Sequence, residues 1–253
     1  MEAISQIKER FQTEEETVLT ALIKEYREDE RAGVQKLISS AEKKLMALAK
    51  ERERMENMKQ YERKYADYSY IAGIDEVGRG PLAGPVVTCA VILPKECDLL
   101  YINDSKKLSE KKREQLCEEI KQCAIAYKIG LVEHTVIDEI NILQATYKAM
   151  RQSIAGLDPA PDLLLNDAVI IPEVSIRQIP IIKGDAKSIS IAAASIVAKV
   201  TRDHMMEEYD KLYPGYDFAS NKGYGSAKHI KAIQTLGPCP IHRMSFIKKF
   251  VDS

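Results

Sequence analysis

Residues 70–93, YIAGIDEVGRGPLAGPVVTCAVIL, carry the clearest fold signal in the chain. Residues 70–75 predict one strand, and residues 86–93, which are rich in β-branched side chains, predict another. Between them two adjacent carboxylates, Asp75 and Glu76, are followed by a loop of glycines and prolines. Acidic residues at the carboxyl end of a strand are typical of ligand sites in α/β folds. Neighbouring strand residues point to opposite faces, so both acids can serve one site only if the strand ends or bends there.

The glycine spacing in this loop also invites a dinucleotide-binding interpretation, which the next residues exclude. Gly78 and Gly80 match the start of that fingerprint, but its last glycine must open a helix whose N-terminus meets the pyrophosphate. Here Pro81 and Pro85 intervene, and the chain returns to a strand at Val86. The loop therefore has another purpose.

Strands and helices alternate over the rest of the chain. We expect Ser109 to cap one helix, and Thr135 with Asp138 to open the next. The resulting order predicts an α/β fold with a mixed sheet flanked by helices and a C-terminal helical region. The expected strands are 70–75, 86–93, 124–132, 162–166 and 176–182, and the expected helices begin at residues 109, 135, 188 and 226.

Residues 1–69 differ from the rest because they are dense in charges of both signs and contain no proline. Apolar residues recur there at helical spacing on both sides of residues 29–33. This pattern predicts two helices packed as a hairpin, so we divide the chain into a helical extension, 1–69, and an α/β domain, 70–253. The mixed charges favour a solvated helical arm over a nucleic-acid or partner contact.

The overall composition excludes several classes of protein. Lys plus Arg number 37 and Asp plus Glu 38, which excludes a histone-like polycation and an acidic tail. Acidic residues are in excess over 70–182 and basic residues over 183–253. The longest uncharged stretch, 80–94, is too short to cross a bilayer, and no secretory leader is visible. Five cysteines without C-x-x-C spacing predict reduced thiols. We expect a cytoplasmic monomer with no membrane contact.

Two more acids follow predicted strands and suggest a metal site. Asp167 comes after the apolar run 163–165, and Asp185 comes after the strand at 176–182. Three strand ends thus deliver carboxylates, which are the ligands of hard cations such as Mg²⁺ or Mn²⁺. The four histidines show no zinc spacing, and no Gly-x-Ser-x-Gly elbow is present.

Two other segments offer groups that suit a nucleic acid. Residues 104–108, DSKKL, present a hydroxyl and two ammonium groups that could hold phosphates, although an ordinary solvated loop has the same composition. Tyr224 lies between two glycines, where it could stack on a sugar or base or form a plain turn.

Five segments taken together resemble the bacterial ribonuclease HII family. They are DEVGRGPLAGP at 75–85, DSKKL at 104–108, KGDAKS at 183–188, GYGS at 223–226 and PIHRMSF at 240–246. The resemblance covers residues 70–250, and its Gly-Arg-Gly separates it from the sister ribonuclease HIII. It implies a ribonuclease H-like fold and a metal-dependent endonuclease. Such an enzyme hydrolyses the RNA strand of RNA/DNA hybrids and cuts 5′ of ribonucleotides embedded in duplex DNA, leaving 3′-hydroxyl and 5′-phosphate ends. The implied cofactors are two Mn²⁺ or Mg²⁺ ions.

The resemblance also implies roles for individual residues. The catalytic, metal-binding acids fall on Asp75, Glu76, Asp167 and Asp185. The family usually has glycine after the third acid, where this chain has Ala168, and Asp162 at the start of the strand is the alternative for that acid. The implied substrate-binding residues are Gly78, Arg79, Gly80, Ser105, Lys106, Lys107, Lys187, Ser188, Tyr224 and Ser226, with the Gly-Arg-Gly backbone and Tyr224 sensing the ribose 2′-hydroxyl and the neighbouring sugar. Alternatives are a non-catalytic nucleic-acid-binding protein on this scaffold and a related nuclease with another target. The four acids argue against the first, and the two glycine segments against the second.

Overall fold

The computed structural model describes residues 2–251, and the chain forms two compact units, Met1–Glu56 and Asn57–Ser253. The first unit is helical: α1 (Ile4–Arg10) and α2 (Glu16–Glu25) precede the long α3 (Ala32–Met58). Its apolar core is formed by Ile7, Leu22, Tyr26, Val34 and Ile38. The chain bends at residues 26–31, between α2 and α3, slightly before the expected residues 29–33. Helix α1 was not expected. The boundary at residue 69 stays a prediction.

The second unit contains a five-stranded mixed sheet, as predicted. Its strands are β1 (Ile71–Val77), β2 (Val86–Ile92), β3 (Ala126–Val132), β4 (Leu163–Asp167) and β5 (Arg177–Ile181). They lie in the order β3-β2-β1-β4-β5. β1 is antiparallel to β2 and parallel to β4, while β2–β3 is antiparallel and β4–β5 parallel.

Helices flank the sheet and form the predicted C-terminal region. They are α4 (Gln60–Lys64), α5 (Glu110–Cys123), α6 (His134–Ala155), α7 (Ile189–Leu212), α8 (Phe218–Asn221), α9 (Ala227–Leu236) and α10 (Met244–Val251), with short 3₁₀ turns at Ser105–Lys107 and Gly184–Ala186. Ser109 caps α5 as expected, by accepting the backbone N–H of Lys112. Within residues 2–251 no helix is long and apolar enough to span a membrane.

The two faces of the sheet are covered by different helices. Ala72 and Ile74 of β1 pack with Met150 of α6 on one face. On the other face Gly73 lies against α7 so closely that a Cβ there would come 2.1 Å from the carbonyl carbon of Ser190. Because side chains alternate along a strand, Asp75 shares the α7 face with Gly73.

Two local expectations were wrong. The first strand does not stop at Asp75 but continues to Val77, because Glu76 and Val77 pair with β2. The helix expected to open at Thr135 begins at His134, with Glu133 at the N-cap. Asp138 does not cap this helix, since its carboxylate accepts the backbone N–H groups at residues 244 and 245 at the start of α10.

Candidate active site

The sheet brings three of the four predicted acids to neighbouring positions. In the parallel register Ile74 of β1 pairs with Asn166 of β4, so that the next residues, Asp75 and Asp167, lie side by side. Glu76 follows within the same strand.

The fourth acid, Asp185, sits in the 3₁₀ turn Gly184–Ala186 after β5, and its pKa is raised by burial and by the charges of Asp104 and Asp167. Asp162, the alternative third acid, lies at the other end of β4. There it accepts the backbone N–H groups of Ser69 and Tyr70. The structure therefore groups Asp167, and not Asp162, with the other acids.

Burial and mutual repulsion perturb these carboxyls. Burial raises the pKa of Asp75 well above its usual value, and the charges of Glu76 and Asp167 raise it further. A hydrogen bond with Ser195 of α7 acts in the opposite direction. Burial also raises the pKa of Glu76, although the guanidinium of Arg79 opposes that shift.

The pKa of Asp185 is raised by burial first and then by the charges of Asp104 and Asp167, while Lys106 lowers it. Raised pKa values caused by neighbouring carboxylates mean that a low-dielectric region holds several negative charges close together. Such a cluster favours any added positive charge.

Protein donors occupy part of this carboxylate cluster. Asp75 Oδ1 accepts the Glu76 backbone N–H at 2.8 Å, and Asp167 Oδ1 accepts the Gly184 N–H at 2.8 Å. Arg79 Nη1 lies 3.3 Å from Glu76 Oε1. Among residues 2–251, no three His, Cys, Asp or Glu side chains form a group that could hold a metal ion as they are placed. The side chains of the four acids nevertheless suit a hard divalent cation, because they all offer carboxylate oxygens as ligands.

The loop of residues 78–85, which we call the glycine loop, lies beside the predicted Gly-Tyr-Gly segment. Leu82 donates its N–H to the Gly223 carbonyl at 2.8 Å. Gly78 has φ +92°, in the left-handed region that favours glycine. A Cβ on Gly80 would lie 3.6 Å from the ring of Tyr224, which is 46% exposed. Two predicted substrate-contacting groups are thus adjacent and accessible.

Two buried arginines hold the glycine loop from inside. Arg202 of α7 and Arg243, just before α10, are both 0% exposed. Burial lowers the pKa of Arg202 to about 10 and that of Arg243 to about 9. Their hydrogen bonds are 2.6–3.0 Å long and run from Arg202 to the carbonyls of Ala83, Pro85 and Lys222, and from Arg243 to those of Gly78, Arg79 and Gly84. The loop backbone is therefore fixed at five carbonyls, and Arg202 also ties it to the Gly-Tyr-Gly segment.

A pair of buried histidines supports the same segment. His229 Nδ1 lies 2.8 Å from the Tyr224 carbonyl, and His229 Nε2 lies 3.0 Å from His242 Nε2. The Cys239 N–H donates to His242 Nδ1 at 2.9 Å. We assign the protons from this network. Nδ1 of His229 must carry one to meet a carbonyl, so His242 Nε2–H donates to His229 Nε2. Nδ1 of His242 then accepts the Cys239 N–H, its shorter contact, rather than donating to the Cys239 carbonyl 3.2 Å away. Both rings are therefore neutral, and burial lowers the pKa of both.

Among the other predicted binding residues, three lysines are exposed and three serines are engaged within the protein. Lys106, Lys107 and Lys187 are on the surface. Ser105 is buried, with its Oγ 3.1 Å from Ser195 Oγ. Ser188 is buried, donates to Glu62 and caps α7, and Ser226 caps α9 by accepting the His229 N–H. The hydroxyls of Ser105 and Ser188 thus support the site from inside the protein, and their role as substrate contacts stays a prediction.

Sequence reasoning missed several of these supports. Ser195 lies in the apolar part of α7, where a polar residue among buried neighbours is itself a signal of an internal partner. Arg202 lies beyond that part, in the polar run 201–204, and carries no such signal. Zinc spacing, the pattern expected of metal-binding histidines, does not detect the histidine pair. Its partners are 13 residues apart in sequence, and no local pattern links them.

Comparisons with known proteins agree with the resemblance. A family model described as Ribonuclease HII matches residues 72–249, and one described as Ribonuclease HII N-terminal domain matches residues 3–66. The chain is 65% identical over 227 residues to ribonuclease HII of Lachnoclostridium phytofermentans, covering 90% of this chain and 89% of the relative. It is 51% identical to that of Clostridioides difficile, covering 98% of each. The solved ribonuclease H2 from Pyrococcus horikoshii OT3 superposes with a TM-score of 0.62 at 28% identity, covering 73% of this chain and 98% of that one. The predicted ribonuclease H-like fold is confirmed.

Proposed function

Because the chain belongs to the ribonuclease HII family and is a ribonuclease H, hence a hydrolase, we propose that it cuts 5′ of single ribonucleotides embedded in duplex DNA. It would also hydrolyse the RNA strand of RNA/DNA hybrids, leaving 3′-hydroxyl and 5′-phosphate ends in both cases. The observation that carries the proposal is the adjacency of Gly80 and the exposed ring of Tyr224, on a loop that directly follows Asp75 and Glu76 and whose Arg79 contacts Glu76.

Recognition of one ribonucleotide requires a direct contact with its 2′-hydroxyl, which alone separates RNA from DNA at that position. A small hydroxyl is read best by a backbone that cannot move away from it. The glycine loop meets this need, since Arg243 holds the carbonyls of Gly78 and Arg79 from inside. Tyr224 offers an aromatic face for the neighbouring sugar.

We propose that the cofactors are two Mn²⁺ or Mg²⁺ ions held by Asp75, Glu76, Asp167 and Asp185. When bound, such ions activate a water and stabilise the leaving 3′-oxygen. The protein contributes the placement of the carboxylates on the ends of β1 and β4 and on the turn after β5. Asp75, which is buried and affected by the charges of Glu76 and Asp167, would be the most deeply buried of the acids that hold the ions. Lys106 supplies a positive charge beside Asp185, where a phosphate would enter.

The test is a strand-cleavage assay on duplex DNA that carries one ribonucleotide, with Mn²⁺ or Mg²⁺ and with EDTA as the metal-free control. All-DNA duplex and RNA/DNA hybrid serve as comparison substrates. We expect cleavage of the ribonucleotide-containing strand only with metal. Equal cutting of the all-DNA duplex, or none of the ribonucleotide-containing one, would refute the proposal.

Single substitutions assign the acids. Asp75→Asn and Asp185→Asn should abolish turnover while duplex binding, measured by fluorescence anisotropy, largely survives. Asp167→Asn should behave in the same way, and Asp162→Asn should retain turnover because that carboxylate caps the start of β1. The reverse result for the last pair would transfer the third acid to Asp162.

A further inference from the structure

Glu62, on the short helix before the sheet, bonds to the start of the long central helix. Its Oε1 accepts the hydroxyl of Ser188 at 2.6 Å and the backbone N–H of Ser190 at 3.1 Å. Ser188 is the N-cap of α7, and its Oγ in turn accepts the N–H of Ile191 at 3.2 Å. Glu62 therefore fixes the capping hydroxyl and satisfies a further N–H at the helix N-terminus, where a negative charge is also favoured by the helix dipole.

The turn that carries Asp185 leads directly into this capped helix. The Gly184 carbonyl accepts the N–H groups of Lys187 and Ser188, both at 2.9 Å, which closes the turn around Asp185. At its other end the Gly184 N–H donates to Asp167. The turn is thus held by one acid of the site at its beginning and by Glu62, through Ser188, at its end.

The start of α7 also packs against β1, the strand that carries Asp75. Ser190 is pressed against Gly73 of β1, where there is no room even for a methyl group. Gly73 lies two residues before Asp75 on the same face of β1. A small displacement of the first turn of α7 would therefore shift β1 next to Asp75 as well as the turn carrying Asp185. Less than two turns further along α7, Ser195 also lowers the pKa of Asp75.

Glu62 is itself firmly placed. Tyr61 and Tyr65, on either side of it, pack with Leu163 and Leu165 of β4 and with Ile191 of α7. The second carboxylate oxygen, Oε2, is buried and finds no hydrogen-bond partner among the described residues. Burying such an atom without a partner lowers stability. Because the unpaired oxygen lowers stability, the presence of Glu62 is better explained by its role in fixing Ser188 and the start of α7 than by a gain in stability.

We infer that Glu62 is a positioning residue for the carboxylate cluster, acting through Ser188 and the first turn of α7 on Asp185 and Asp75. The inference rests on the proposed function, because it assigns Glu62 a part in arranging the proposed metal ligands. Glu62 lies just before the sheet, in the segment that the family's N-terminal domain model covers as far as residue 66. The inference means that this segment helps to position the site.

The experiment compares the full-length wild type with Glu62→Gln, Glu62→Ala and a matched control, Asp67→Asn, which removes an exposed carboxylate five residues away. Mn²⁺ affinity is measured by isothermal titration calorimetry without nucleic acid, and circular dichroism melting verifies the folded fraction. Removing the hydrogen-bond partners that orient metal ligands typically weakens metal affinity by about 10- to 100-fold. We expect the Mn²⁺ affinity of Glu62→Ala to fall about tenfold. Glu62→Gln keeps an acceptor oxygen for Ser188 and should fall between this variant and the wild type. Asp67→Asn should match the wild type.

In the cleavage assay the two Glu62 variants should lose kcat with little change in KM, because duplex binding does not depend on this contact. Wild-type Mn²⁺ affinity in fully folded Glu62→Ala would overturn the inference, as would a lower melting temperature accompanied by unchanged affinity and kcat. The two proposals fail differently. If the wild type binds Mn²⁺ but does not cut at a ribonucleotide, the proposed function fails, while the comparison of affinities still decides the role of Glu62.

Discussion

Lowering the pH from 7 to 5 should destabilise the second unit through the buried histidine pair, and the effect can be estimated for His242. Its ring is 2% exposed, and burial lowers its pKa from 6.5 to about 4. Between these two pKa values the unfolded chain binds a proton at this histidine and the folded protein does not. The free energy of unfolding is therefore highest above the unfolded pKa and decreases as the pH falls toward 4. For these two pKa values (6.5 and about 4) the loss between pH 7 and pH 5 is about 2 kcal/mol.

The assay is urea denaturation followed by circular dichroism at pH 7, 6 and 5, on the wild type and on His242→Gln. The glutamine removes the titrating ring but can still donate an N–H toward His229. We expect it to lower stability at pH 7, because the Cys239 N–H loses its acceptor. Its further loss on acidification should be smaller than that of the wild type by about 2 kcal/mol.

The matched control is His204→Gln, which removes an exposed histidine paired with Glu114. Its loss of stability between pH 7 and pH 5 should stay within about 1 kcal/mol of that of the wild type, because an exposed pair of this kind contributes little. Comparing slopes rather than absolute stabilities removes the contributions of the buried carboxyls, which all three proteins share. If His242→Gln and the wild type lose the same free energy between pH 7 and pH 5, the assignment of a neutral, proton-sharing pair is wrong.

Two further changes test how the site is packed, both by urea denaturation at pH 7. Gly73→Ala should lower the free energy of unfolding by about 3 kcal/mol, because its Cβ would overlap the backbone of α7. Gly80→Ala is its control: the nearest atom to the new Cβ lies 3.6 Å away, so its free energy of unfolding should stay within about 1 kcal/mol of the wild type. Arg243→Lys should cost about 3 kcal/mol, because an ammonium cannot reach three carbonyls spread around a planar fork, and the exposed Arg79→Lys should cost less than about 0.5 kcal/mol. Equal effects within either pair would contradict this account of the packing.

Local signals in the sequence located most of the secondary structure. Ser109, Ser188 and Ser226 each cap the helix they precede, and the β-branched run after residue 85 forms β2. These signals depend on residues within one turn or one strand, so they survive any tertiary arrangement. The expectations that were wrong depended on distant partners. Asp138 caps a helix more than 100 residues away, and β1 lengthens because β2 pairs with it.

The candidate site shows the same division. The segment resemblance pointed to the acids, and Ala168 after Asp167 adopts φ +58°, the conformation that glycine would favour there. What holds these residues in place could not be read from the chain. Ser195, Arg202 and Glu62 act through partners that lie far from them in sequence, and burial is a property of the assembled fold.

The placement of the buried cations explains why the carboxylates are left available. Arg202 and Arg243 hold the glycine loop that follows Asp75 and Glu76 in the chain, yet their six hydrogen bonds all go to neutral carbonyls. Had either guanidinium paired with Asp75, the pKa of that carboxyl would be depressed, and a metal ion would have to break a buried ion pair, which costs several kcal/mol. The pKa of Asp75 is instead raised.

A cation entering this cluster therefore competes mainly with protons. Arg79 is the exception, since it does contact Glu76, but it is exposed, and exposed pairs contribute about 0–1 kcal/mol. The buried arginines and neutral histidines fix the loops that would read the sugar without neutralising the acids.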